Sequence, residues 1–361
     1  MSIRHFFKKI HLWLSIPAGL IIVILCATGA ILSFETEILE AYYPERYFVA
    51  EVKADKIPLD RLISIVNQQL SDNSVANIKL TADPNRTYTA TLANGFRISA
   101  FVDPYTGEVK GIYNLRESAF FKVMALHRWL MDGTRTWGKY TMGITTLVFV
   151  FIIISGMVWW IPTSKKKVKG RLTINTKSGL KRFLHDAHIA LGIYACLFLL
   201  ICSLTGLMWS FEWYKKGVCR LFGVEIPADK KENTREKNRT PLDASVWQTA
   251  FDNSIKQVAN YTTITVSDGS VMVLPSDALH TRAMDKYAFD KSSGKITKVS
   301  LYADEKSVSK IMTWAYALHV GAFGGITVRI LTFLACLIGA TLPLTGYYLY
   351  YRRLKKKNKP R

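Results

Sequence analysis

The sequence predicts an integral membrane α-helical bundle of four transmembrane helices carrying two duplicated extracytoplasmic α+β domains, the whole built as a parallel internal repeat. Three observations lead there. Apolar stretches at 12–34, 140–161, 189–211 and 326–350 each supply the roughly 20 residues needed to cross about 30 Å of hydrocarbon. Residues 11–35 recur at 188–212, with 11 of 25 positions identical and no gap. The basic residues concentrate in the short segments that flank the spans.

The first span follows Arg4, Lys8 and Lys9 and could pass for a signal peptide. It is long for one, lacks a small-x-small cleavage site, and has a mid-chain twin that cannot be a leader, so it is expected to remain as an anchor. In the repeat, His11 falls on His188, Thr28-Gly29 on Thr205-Gly206, and Ser33-Phe34-Glu35 on Ser210-Phe211-Glu212. Aliphatic identities are cheap in a span; polar marks held in one register at both ends are not.

Between the first two spans, Pro58 to Leu70 has a helical period. Strand-like runs follow at Val75–Thr81, Thr87–Leu92 and Phe96–Asp103, with a turn at Asp103 to Gly107 and a further strand to Tyr113. The same order is expected after the third span: a helix at Leu242–Ala259, strands near Thr262–Val266, Ser270–Leu274 and Lys286–Asp290, a turn at Asp290 to Gly294, and a strand to Tyr302. An Ala-Leu-His triplet then precedes each remaining span, ending at His127 and at His319. Ser155-Gly156 answers Thr345-Gly346, and at the same shift Lys139 answers Arg329. Each unit holds an even number of spans, so the copies should run parallel, related by a pseudo-two-fold along the membrane normal.

The expected division is a cytoplasmic N-terminus (1–11), a first span (12–35), an exterior domain (36–116), a histidine helix and link (117–139), a second span (140–161) and a basic cytoplasmic loop (162–185). It continues with a third span (186–213), a second exterior domain (214–310), a histidine helix and link (311–325), a fourth span (326–351) and a basic cytoplasmic tail (352–361).

The net charge of +21 could suggest nucleic acid, but 18 of the 48 Lys and Arg lie in the three short flanking segments. That is the positive-inside pattern, with both termini and the central loop cytoplasmic and the two long segments periplasmic in a bacterial cytoplasmic membrane. No nucleic-acid partner is expected. The five cysteines form no Cys-x-x-Cys pair, and the absence of Cys-x-x-Cys-His excludes the usual covalent haem attachment. Four of them fall inside spans as small apolar residues; Cys219 is expected to meet the exterior. No dinucleotide, phosphate-loop, zinc-protease or serine-hydrolase motif is present.

The duplication sorts the seven histidines. His11 pairs with His188 at the cytoplasmic ends of spans, and His127 with His319 on the exterior side. A single histidine at a span end is ordinarily an amphipathic residue; two symmetric pairs at opposite faces suggest two six-coordinate metals, each held by opposed imidazoles, as in haem. His185, close to His188 on the same helix, is a rival ligand, while His280 and His5 are expected to be solvated. Haem propionates need cations: Lys181, Arg182, Arg4 and Lys8 inside, and Arg128, Arg135, Lys139 and Arg329 outside. Arg329 lies within an apolar span, where snorkelling is the alternative role. Glu35 and Glu212 are expected as solvated span ends.

On these residues the chain resembles the PepSY-associated transmembrane family, and within it the membrane-bound ferric siderophore reductases. The resemblance covers nearly the whole chain and rests on His11-Leu-Trp-Leu, the Asp103-Pro-Tyr-Thr-Gly107 turn, His185-Asp-Ala-His188 with Leu191-Gly192, and both Leu-His positions. It implies PepSY-like exterior domains and a bundle with two b-type haems, bound by His11 and His188 and by His127 and His319. Electrons from a cytoplasmic reductase or membrane quinol would pass outward to reduce Fe(III) in a siderophore or other ferric chelate. Arg128, Arg135 and Trp137 are the candidate chelate contacts, and no acid–base catalytic residue is expected. The alternatives are the same haem wire with another acceptor, such as quinone, Cu(II) or a thiol protein, and a non-enzymatic binding or regulatory membrane protein.

Overall fold

The computed structural model describes residues 3–70, 73–162, 164–226 and 243–357. The expected helix start at Leu242 and the end of the basic tail lie outside them. The chain falls into two compact units: 1–34, 122–221 and 314–361 form one, 35–121 and 222–313 the other.

The first unit is a bundle of four helices long and apolar enough to cross a membrane: Ile3–Leu32, Trp137–Trp160, Leu180–Ser210 and Gly325–Lys357. The first packs on the second and fourth, and the third packs on the same two, so first and third lie on a diagonal. Their shared core includes Ile22 and Cys26, Phe149 and Ile153, Ala195 and Leu199, and Ala335. Leu20, Ile144, Leu197 and Leu334 face outward. Apolar outer faces on helices that satisfy their own backbone bonds are what hydrocarbon requires.

Small residues set the spacing of the spans. The Tyr347 hydroxyl of the fourth span donates to the Ile16 carbonyl at 2.7 Å, one residue before Pro17. A Cβ on Gly19 would collide with that hydroxyl, and one on Gly339 would lie 2.8 Å from Cys26 Sγ. These glycines allow the close helix approach that drives association in lipid.

The second unit holds an eight-stranded antiparallel sheet in the order β4-β3-β2-β1-β5-β6-β7-β8. The strands are β1 Val75–Thr81, β2 Tyr88–Leu92, β3 Ile98–Val102, β4 Val109–Asn114, β5 Tyr261–Ser267, β6 Ser270–Pro275, β7 Asp285–Phe289 and β8 Ile296–Ser300. The sequence leads one to expect two small domains. Here both sets of strands share one sheet, because β1 pairs with β5 from Asn77–Ser267 to Thr81–Thr263. That pairing removes two strand edges that separate domains would leave open.

Helices Leu59–Gln69 and Ala244–Ile255 cover one face of the sheet. Leu62, Ile63, Val66, Trp247 and Ala250 pack there on Ile78, Leu80, Ile264, Val266 and Val271. Each such aliphatic side chain contributes about 1.5–3 kcal/mol on full burial. The second helix is shorter than expected, and Asp243 caps it by accepting from Ser245 N at 3.0 Å. In both turns the aspartate accepts from backbone N–H groups two and three residues on: Asp103 from Tyr105 and Thr106, Asp290 from Ser292 and Ser293. The closing Gly107 and Gly294 have φ of +76° and +68°, and each lies against the helix of its own half, at Ile65 and at Thr249.

Three expectations need correction here. His280 is not solvated: it is 3% exposed, because Tyr302 Oη lies 3.0 Å from Nε2 and the Arg282 N–H donates to Nδ1. Cys219 is buried on helix Glu212–Leu221. Glu35 is not a solvated span end: it starts the separate helix Glu35–Tyr42, is partly buried, and accepts from the Tyr113 hydroxyl at 3.5 Å. Glu212 is exposed and pairs with Lys215 at 2.7 Å, and His5 is exposed.

Candidate functional site

Four histidines enter the bundle, two from spans and two from the helices Ala119–Trp129 and Val308–Val320. The His11 and His188 rings lie 6.4 Å apart between centroids at 89°, and those of His127 and His319 lie 6.1 Å apart at 61°. His11 and Thr28, like His188 and Thr205, stand 17 residues apart on one helix, so the two pairs are separated by about 25 Å along the helix axes.

Each ring is anchored at Nδ1 by the neighbouring span. His127 Nδ1 donates to the Leu25 carbonyl at 3.1 Å and to Thr28 Oγ1 at 2.9 Å. His319 does the same with the Cys202 carbonyl at 2.9 Å and Thr205 Oγ1 at 3.1 Å. His11 donates to the Ile152 carbonyl at 3.0 Å, with Ser155 Oγ at 3.4 Å, and His188 to Thr345 Oγ1 at 2.8 Å.

The hydroxyls fix the tautomer. Thr28, Ser155, Thr205 and Thr345 each spend their own proton on a carbonyl of their own helix, at Ile24, Ile152, Ile201 and Leu342. They can therefore only accept from the imidazole, and every ring carries its proton on Nδ1. Among the described residues, Nε2 of all four has no hydrogen-bond partner, which leaves its lone pair available to a metal.

A glycine lies beside each ring, immediately after the anchoring hydroxyl. A Cβ would stand 3.4 Å from His127 Cε1 on Gly29, 3.3 Å from His319 Cε1 on Gly206, 3.0 Å from His11 Cε1 on Gly156 and 3.6 Å from His188 Cε1 on Gly346. The Ser/Thr-Gly dipeptide thus occurs once in every span and receives one histidine each time. The two pairs of dipeptides are visible in the sequence as repeat marks. Their common use as imidazole seats is not, because each serves a residue far away in the chain.

The donor set fits haem. Two His–metal bonds of about 2 Å plus the ring radii place opposed imidazole centroids about 6 Å apart. Among the described residues no cluster of three or more His, Cys, Asp or Glu could hold a bare metal ion. Each pair offers two imidazole nitrogens and, among the described residues, no further protein donor, which would suit a metal that arrives with its own macrocycle.

The other candidates separate. His185 lies outside the His11–His188 pair: its side chain is 52% exposed and its Nδ1 is 3.2 Å from Asp186 Oδ1, while Arg182 Nε donates to Asp186 Oδ2 at 2.7 Å. Lys8 lies over the Trp159 ring at 5.5 Å, and Arg4 donates to the Trp159 carbonyl at 3.3 Å. On the other side, Arg128 and Arg135 both lie over Trp129, at 5.5 and 4.4 Å. Trp137 is 60% exposed and Lys139 is exposed. Arg329 is partly buried with its guanidinium 5.4 Å from the Phe34 ring centroid. Cys202 has more than a filling role, since its thiol donates to the His319 carbonyl at 3.3 Å.

The link after His127 is held by Asp132. Its carboxylate accepts from Thr134, Thr136 and Gly138 N–H groups at 3.1, 2.9 and 3.0 Å, around left-handed Leu130, Met131 and Arg135. Burial alone would raise the Asp132 carboxyl, but the Thr134 hydroxyl, which donates to it at 2.6 Å, and these N–H bonds outweigh it and hold it below the usual range. The link after His319 reaches the left-handed region with Gly321, Gly324 and Gly325 instead.

No curated protein matches the chain. The model of one family, described as the PepSY-associated TM region, matches residues 8–353. The match takes in all four apolar helices, all four paired histidines and the eight-stranded sheet, and the chain belongs to the PepSY-associated transmembrane family.

Proposed function

We propose that this protein is a membrane-bound dihaem b-type oxidoreductase that passes electrons across the bacterial cytoplasmic membrane to reduce a ferric siderophore on the periplasmic side. The observation that carries the reading is the pair of opposed imidazoles occurring twice, each ring protonated on Nδ1 and free on Nε2. His11 and His188 would hold the inner haem and His127 and His319 the outer one. When bound, haem supplies one-electron carriage.

The chain's own residues do the rest. Ser155, Thr345, Thr28 and Thr205 orient the rings and raise the basicity of Nε2 through the Nδ1–H bond. The glycines beside Cε1 admit the rings to the span surfaces. The apolar core around Ile22, Ile153 and Leu199 keeps water from the space between the pairs. Reduction itself frees the metal, because Fe(II) is held less tightly than Fe(III) by hard oxygen donors, so no general acid or base is needed.

The repeat at 11–35 and 188–212 and the matched seats at Thr28-Gly29 and Thr205-Gly206 support an ancestral duplication. The basic flanks support cytoplasmic termini and a periplasmic sheet. Electrons would come from a cytoplasmic reductase or from membrane quinol.

The test is a reduced-minus-oxidised visible spectrum, with haem counted per chain, on purified protein and on His11→Ala and His127→Ala. Two low-spin b haems, one disturbed by each variant, are expected. A chain that takes up no haem when haem is abundant would overturn the reading.

A further inference from the structure

The sheet face opposite the helices has a distinctive chemistry. The register aligns Thr89, Lys79, Thr265, Met272 and Lys286 in one row across β2, β1, β5, β6 and β7. The adjacent row holds Thr91, Asn77, Ser267, Ser270 and, through Ala288, Lys298. Neither row contains a carboxylate of its own; at the β3–β4 end the segment from Glu35 to Tyr47 packs on the same face, with Tyr47 on Phe101 and Glu35 accepting from Tyr113, while Glu40 and Asp83 pair with Arg86.

Among the described residues, Lys79, Lys286 and Lys298 have no ion pair, and the side chains of Lys79, Asn77, Thr89, Thr91 and Thr265 make no hydrogen bond. Thr89 and Thr265 stand about 5 Å to either side of Lys79, one strand spacing away. Lys79 is exposed, yet the protein around it, and secondarily the Arg86 guanidinium, hold its ammonium below the usual lysine range. An accessible cation with no ion pair of its own and hydroxyls on both flanks is a donor set without a partner.

The geometry points to this face, centred on Lys79, as the binding site for the chelate, and to a substrate that is anionic and rich in oxygen acceptors. The inference rests on the ferric-chelate reading above and adds to it a place and a charge. Lys79 supplies the charge, Thr89, Thr265, Thr91 and Asn77 supply hydrogen bonds to ligand oxygens, and Lys286 and Lys298 extend the positive field toward the β8 edge. The stretch from β1 to β8, where the rows carry Lys79, Lys286 and Lys298 and no carboxylate, attracts a polyanion and disfavours a cationic chelate, whereas Glu35 and Glu40 confine the site away from the β3–β4 end.

The experiment titrates the full-length protein in detergent with gallium(III) tris-catecholate, an anionic chelate that cannot be reduced, and with a neutral gallium(III) trihydroxamate. Binding of the anionic probe is expected to weaken about tenfold or more in Lys79→Met and to be retained in Lys79→Arg, whose charge is the same. The neutral probe should bind more weakly to the wild type. Equal binding by wild type and Lys79→Met, equal binding of both probes, or no binding of the anionic probe would each overturn the site. Reduction of the iron(III) tris-catecholate by the same preparations separates the two readings. Wild-type reduction with binding indifferent to Lys79 sinks the site alone, whereas Lys79-dependent gallium binding without any iron reduction sinks the reductase alone.

Discussion

Thr28 Oγ1 lies 2.9 Å from His127 Nδ1 while giving its own proton to the Ile24 carbonyl, so a threonine on the first span acts with the Leu25 carbonyl to leave Nε2 of a distant histidine bare. Thr28→Val keeps the shape and removes the acceptor. The Leu25 carbonyl still holds the ring, so the outer haem should bind about 10- to 100-fold more weakly, the usual scale for losing an outer-shell partner. Haem titration of the variant checks this; unchanged affinity would show that the carbonyl alone suffices.

The four glycines differ in the room they leave. A methyl on Gly156 would stand 3.0 Å from His11 Cε1, but one on Gly346 would stand 3.6 Å from His188 Cε1, an ordinary contact. Gly156→Ala should disturb the inner haem band in the visible spectrum, whereas Gly346→Ala should leave it in place. Equal behaviour of the two would mean that the ring edges do not rest on these positions.

Gly294 has φ +68°, and a Cβ there would come within 2.7 Å of the Val246 carbonyl oxygen. Gly294→Ala therefore combines left-handed strain with a backbone clash. The unit that holds the sheet should lose about 1–3 kcal/mol, seen as a lower thermal midpoint. Gly133→Ala, with open space around its Cβ position, serves as the contrast.

Burial, and secondarily the Arg282 guanidinium, hold His280 below the ordinary histidine value of 6.5. The unfolded chain then takes up a proton from about pH 6.5 downward while the folded one does not, so stability declines as pH falls from 6.5 toward the depressed folded value. Thermal unfolding between pH 7.5 and pH 5 should show this decline, and His280→Gln, which keeps a donor for Tyr302, should flatten it. A wild type whose midpoint is constant over that range would contradict it.

Much of this architecture is legible in the chain. β1 occupies the run Val75–Thr81 expected from alternation, and the Asp103 and Asp290 turns close on the glycines that the spacing marks. Local periodicity and turn chemistry suffice there, because they depend on neighbours in sequence. The pairing of β1 with β5 is not legible: register between remote strands leaves no local mark. His280 misleads for a related reason, since a histidine among polar loop residues buries once a tyrosine hydroxyl and a backbone N–H meet both nitrogens. At the candidate site the histidine pairs can be read from the repeat. The Ser/Thr-Gly seats have the right letters in view, but only the fold shows which ring each one receives.

The β1–β5 junction also sets a schedule for biosynthesis. β1 leaves the ribosome nearly two hundred residues before β5, about 10–40 s earlier at ordinary elongation rates. During that interval β1 is the open edge of a half-sheet, with Ile78 and Leu80 on a face that lacks half its eventual cover. A nascent chain paused there presents a ready template for strand addition by any extended segment, including β1 of a second nascent chain. Synthesis of the helix Leu180–Ser210, which lies between β1 and β5 in the chain, is thus part of the interval over which that edge must stay unpaired.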